Sequence, residues 1–175
     1  MNFIFNELSP ETPLSSTIKK AREKGYSEPD PRVDLSGIDV VRKILILARE
    51  AGYPIEKKDV MVKKFLPDEC FEGDLADFFE KVKKYDAEFE KKRKELVREN
   101  KKWRFFATLE QGKARVELLT IGSEHPSFNL EGSNNIILFT TNRYNELPMV
   151  IKGYGAGAEV TAAGVFADLM RVVNV

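Results

Sequence analysis

The apolar periodicity of this 175-residue chain changes character once, at Trp103, and that change limits the folds open to it. Before it, apolar residues recur at helical spacing, as in Leu75, Phe78, Phe79 and Val82. After it, residues 103–110 and 114–121 alternate with period two around Gln111-Gly112, the pattern of a hairpin. Residues 134–141 read as a further strand, and 148–152 as a short one. Helices first and strands later predict an α+β chain, with helices packed on a mostly antiparallel sheet, rather than strict βαβ alternation.

Within the first half, residues 17–24 read as a helix capped by Ser15 or Ser16 and ended by Gly25. Two prolines keep Glu28-Pro29-Asp30-Pro31 out of a helix. A long helix is expected from Ser36, with Ser36 and Asp39 at capping-box spacing and Gly52 at its end. Ile44-Leu45-Ile46-Leu47-Ala48 puts apolar side chains on every face, which predicts burial all round. Residues 60–65 read as a strand, 74–85 as an amphipathic helix and 86–102 as a charged one. A final helix carries Val160, Ala163, Ala167 and Met170 on one face.

Charge and composition exclude several function classes. Twenty-eight basic residues balance 28 acidic ones, so no net positive field draws nucleic acid. One cysteine, Cys70, rules out an internal disulfide framework and a cysteine-rich zinc site, and no metal site is expected. The single histidine, His125, precedes Pro126 in a polar loop and reads as a turn residue. No apolar run approaches the ~20 residues of a membrane span, and the first residues lack a secretory pattern; a cytoplasmic location without membrane partners is expected.

Chemistry concentrates between Glu28 and Lys43. Glu28, Asp30, Asp34 and Asp39 stand there with Arg32 and Lys43. Clustered carboxylates suit a substrate ammonium group, through charge-assisted hydrogen bonds. Asp39 and Lys43 are four apart and share a helix face. A lysine against apolar surface is a usable proton donor or acceptor. The same pair also fits an ordinary helix ion pair, and the prolines fit a merely stiff turn. The other candidate is Gly153-Tyr154-Gly155-Ala156-Gly157, between a strand and a helix. Glycines there admit a phosphate or a flat ring to the backbone, and they equally suit a tight strand-to-helix turn.

These segments together resemble homoserine dehydrogenase. One signature is Gly25-Tyr26-Ser27-Glu28-Pro29-Asp30-Pro31-Arg32, followed by Asp34-Leu35-Ser36-Gly37-Ile38-Asp39 and Arg42-Lys43. The other joins Gly153 to Gly157 with Val160-Thr161-Ala162-Ala163-Gly164-Val165 and Asp168. The chain is most similar to the dehydrogenase part of bifunctional aspartokinase/homoserine dehydrogenases. Val33 departs from relatives that carry an acid there.

The resemblance implies that Lys43 transfers the proton at the reacting oxygen and that Asp39 contacts the substrate hydroxyl. It implies that Glu28 and Asp34 hold the amino-acid end of homoserine, and that Gly153, Gly155, Ala156 and Gly157 approach the nicotinamide end of NADP or NAD. The reaction implied is reversible reduction of aspartate 4-semialdehyde to homoserine. Residues 1–152 are then the homoserine-binding and dimerisation region of a homodimer, with residues 134–141 near the subunit contact. Residues 153–175 are the glycine loop and a helix completing a Rossmann domain missing from these residues. An excised catalytic region, inactive alone, is the expectation. The rival is a non-catalytic dimerisation or regulatory module of the same fold.

Overall fold

A computed structural model describes residues 1–132, 134–154 and 158–173. It divides into two compact units, Met1–His125 and Pro126–Val175.

The first unit opens with helices α1 (Asn2–Glu7) and α2 (Leu14–Glu23), tied together by a 2.6 Å ion pair from Lys20 to Glu7. Gly25, at φ +68°, ends α2 as expected: the Tyr26 N–H donates to the Ala21 carbonyl and the Gly25 N–H to that of Arg22. The start of α2 differs from expectation. Its N-cap is Pro13, and Ser15 lies inside the helix. The Ser15 N–H, an orphan donor of the first turn, donates 2.8 Å to Asp86 Oδ1, and the Ser15 hydroxyl donates 2.6 Å to Oδ2. A carboxylate from another helix therefore does the work of a local cap.

Helix α3 (Pro31–Leu35) begins inside the proline-rich segment. Pro31 occupies its first position, where the missing N–H costs nothing, and the Asp30 carboxylate caps it. The segment is thus the entry to a short helix, not a wholly non-helical turn. Helix α4 (Ile38–Glu50) starts after Gly37, at φ +78°. The expected capping box is absent, because the Ser36 hydroxyl donates back to the Val33 carbonyl at 2.6 Å. Burial of α4 is one-sided: Val41, Ile44 and Ala48 are buried while Ile46 is 62% exposed. The sheet covers one face; Leu45 and Leu47 are half-buried, and Ile46 meets solvent.

A short strand, β1 (Val60–Val62), leads to α5 (Leu75–Lys83), which opens on a reciprocal capping box between Asp74 and Asp77. Helix α6 spans Asp86–Arg98, shorter than expected, because Lys101 and Lys102 already belong to β2 (Lys101–Glu110). Strand β3 (Lys113–Gly122) returns antiparallel to β2, and β1 lies parallel on its other side, giving the order β1-β3-β2. Gln111 and Gly112 close the hairpin at φ +49° and +77°, the two-residue turn whose twist matches the strands. The helices pack on this sheet through Ile4, Leu14, Ile18, Leu35, Phe78 and Val116, beside an aromatic group of Phe5, Phe65, Phe89, Trp103 and Phe105.

The second unit pairs β4 (Asn134–Phe139) antiparallel with β5 (Met149–Tyr154) and ends in α7 (Ala158–Val173), none of whose residues is buried. The architecture is the expected α+β mixture, with its strands divided between a three-stranded and a two-stranded sheet. No described helix is long and apolar enough to cross a membrane.

Candidate functional site

Asp34 lies on α3, and Asp39 and Lys43 lie on α4, with only Ser36 and Gly37 between the two helices. The tight connection needs Gly37. Its φ is left-handed, and a Cβ there would stand 3.2 Å from the Phe105 ring and 3.4 Å from Val116. The start of α4 therefore sits directly on the sheet, which fixes the direction of its first turns.

On α4, Lys43 Nζ lies 2.9 Å from Asp39 Oδ2, with side chains 49% and 59% exposed. The expected pressing of Lys43 into apolar surroundings is not found, because its position falls on the solvent side of the helix. An exposed pair of this spacing contributes only about 0.3–0.5 kcal/mol. Its consequence is orientation, since the carboxylate holds a solvent-facing amine at a defined place.

On α3, Asp34 Oδ2 accepts the backbone N–H of Glu28 at 2.8 Å. The helix carboxylate thus closes the proline turn onto α3, and the Glu28 side chain leaves that closed turn at the surface. The structure joins Glu28 to Asp34 through the backbone and Asp39 to Lys43 through an ion pair.

Arg32 belongs to this segment, and its spacing from the candidates pointed to no role for it. Its guanidinium grips Asp30 with contacts of 2.6–3.0 Å and donates to the Gly73 carbonyl at 2.7 Å. Only its i,i+2 spacing from Asp30 hinted at the first of these contacts. The Asp30 carboxyl is held below its usual range chiefly by that hydrogen bond.

Of the glycine loop, Gly153 ends up in β5, where no atom of the described residues lies within 4 Å of the place a Cβ would take. Gly155, Ala156 and Gly157 lie outside the described residues. His125 lies tilted against Phe106 with ring centroids 5.3 Å apart, and Cys70 is buried. One surface hollow of about 580 Å³ is lined by Lys19, Arg22, Glu23, Leu75, Ala76 and Phe79; a second, of about 210 Å³, lies along the β2–β3 hairpin. Neither is lined by the candidate residues.

A family model described as homoserine dehydrogenase matches residues 1–170. A maize bifunctional aspartokinase/homoserine dehydrogenase is 41% identical over 99% of this chain and 19% of its own length. The homoserine dehydrogenase of Schizosaccharomyces pombe is 39% identical over 99% of this chain and 49% of its own. The crystal structure of a putative homoserine dehydrogenase from Archaeoglobus fulgidus superposes with a TM-score of 0.73 at 25% identity, over 98% of this chain and 47% of that one. The chain therefore spans about a fifth of the bifunctional relatives it matches and about half of the shorter one.

Proposed function

This chain belongs to the homoserine dehydrogenase family, and from that premise we propose that it supplies the homoserine-binding catalytic region of such an enzyme. The reaction is reversible reduction of aspartate 4-semialdehyde to homoserine. The observation that carries the reading is the solvent-facing Lys43 amine, 2.9 Å from Asp39 and one helix away from the Asp34–Glu28 clasp.

In this reading Glu28 and Asp34 receive the substrate ammonium group as charge-assisted acceptors. Asp39 contacts the substrate hydroxyl and keeps Lys43 directed at the same oxygen. In the reducing direction the Lys43 ammonium donates a proton to the oxygen as negative charge develops on it; in the oxidising direction the neutral amine takes that proton back. The nicotinamide cofactor, NADP or NAD, supplies the hydride when bound. Gly153 leaves room for that flat ring, because among the described residues no atom lies within 4 Å of the place of its missing side chain. We assign the loop from Gly153 to Gly157 to the nicotinamide end on the family's pattern. The exposed Met149, Val150 and Ile151 of β5 support a homodimer contact through the β4–β5 sheet.

Calorimetry with L-homoserine tests the substrate site. Binding by the unaltered chain, lost in Glu28→Gln, supports it. A well-folded dimer that takes up no homoserine instead supports a non-catalytic assembly module. In an active homoserine dehydrogenase carrying this sequence, Lys43→Ala lowers kcat by about two to four orders of magnitude with little change in substrate affinity. A normal kcat removes Lys43 from the chemistry.

A further inference from the structure

Helix α3 is five residues long, too short to be stable by itself, yet it carries Asp34 and closes the turn that carries Glu28. Something outside it must set its position. The Arg32 guanidinium reaches in two directions at once. Toward its own helix, Nε lies 2.9 Å from Asp30 Oδ1 and Nη2 lies 2.6 Å from Oδ2, while the Arg32 N–H donates 3.0 Å to the same carboxylate at the helix N-cap. Toward the body of the fold, Nη1 donates 2.7 Å to the Gly73 carbonyl.

The receiving loop is itself stiff. Gly73 has φ +86°, and a Cβ there would collide with the Asp77 carboxylate that completes the α5 capping box. The Glu72 carbonyl accepts from Lys81 at 2.9 Å. The loop therefore offers Arg32 a fixed oxygen directly before a capped helix.

We infer that Arg32 is a positioning residue for the substrate: it fastens α3, and through it Asp34 and Glu28, to the loop at the start of α5 without touching substrate. The inference rests on the reading that Glu28 and Asp34 hold the amino-acid end of homoserine. A planar fork is needed, because one group must satisfy a carboxylate and a carbonyl together, and a lysine amine lacks that geometry.

The test uses Arg32→Lys, which keeps the charge and most of the volume, beside Arg32→Ala. L-Homoserine affinity is measured by calorimetry, and exchange of the Glu28 amide by NMR. Both variants are expected to weaken homoserine binding by about tenfold or more, the scale of one charge-assisted hydrogen bond, and to speed exchange of the Glu28 N–H. The control is Glu7→Gln, which breaks the Lys20–Glu7 pair of the same unit and leaves affinity unchanged. Arg32→Lys binding homoserine as tightly as the unaltered chain overturns the positioning role alone. Failure of the unaltered chain to bind overturns the substrate reading and this role with it. An equal loss of affinity in Glu7→Gln also overturns the role, since general loosening then explains the effect.

Discussion

The Asp34 carboxylate accepts a 2.8 Å hydrogen bond from the backbone N–H of Glu28. Asp34 therefore has two separable duties in the proposed site: holding the turn and supplying charge. Asp34→Asn keeps an amide oxygen able to accept from Glu28 while losing the charge. Asp34→Ala loses both. Homoserine affinity is expected to fall by about tenfold or more in Asp34→Asn and further in Asp34→Ala. Calorimetry on the two variants measures this, and equal losses assign all the effect to charge.

Gly37→Ala tests the joint that aims α4. The substitution forces φ +78° on an L side chain and pushes a methyl group against Phe105 at 3.2 Å, where the sheet leaves little room to yield. Strain at such a backbone position is worth about 1–3 kcal/mol, and the packing conflict adds to it. A fall in urea-unfolding stability of about 2 kcal/mol or more is expected; an unchanged midpoint shows that α4 shifts freely.

Elements whose signals are local were legible in the sequence. Asp74 and Asp77 with Leu75, Phe78 and Val82 define α5, and Gln111-Gly112 between alternating runs defines the hairpin. What failed depended on partners far along the chain. Ser15 has the composition of a cap, but its partner Asp86 is 71 residues away and turns it into a helix-to-helix tie. The apolar run of α4 appeared buried on all sides because spacing says which residues share a face, not which faces are covered. The same limit applies to the site. The i,i+4 spacing identified the Lys43–Asp39 pair, while the exposure of the amine depends on where the sheet lies. Arg32 stayed hidden because its carbonyl partner on Gly73 is a backbone atom, which carries no sequence signal.

Asp86 joins α6 to the first turn of α2 through two hydrogen bonds, of 2.8 and 2.6 Å. Asp86→Ala leaves the Ser15 N–H without its acceptor in a part-buried place. Losing a hydrogen bond to a charged group costs about 1.5–3 kcal/mol. Ser15→Ala removes only the hydroxyl contact and is expected to cost less, about 1 kcal/mol. Urea melts of both variants check the order. A larger loss in Ser15→Ala means that the hydroxyl, and not the helix N–H, carries the tie.

His125 makes the stability of the first unit sensitive to mild acid. Burial beside Phe106 is the main force holding its pKa below the ordinary 6.5; Glu124 opposes that shift and Arg104 adds to it. The folded chain thus prefers neutral imidazole more strongly than the unfolded chain does. Between the folded pKa and 6.5 the unfolded state binds a proton that the folded state refuses, so falling pH favours unfolding. The contribution is complete above 6.5 and is lost as pH drops through the folded value. As the chain has one histidine, a single imidazole resonance reports the titration, and its midpoint is expected below 6.5. His125→Gln is expected to flatten the pH dependence of the urea midpoint in that window while leaving acid unfolding through carboxylates such as Asp30, held low by Arg32, in place. A midpoint at or above 6.5 removes His125 from the acid response.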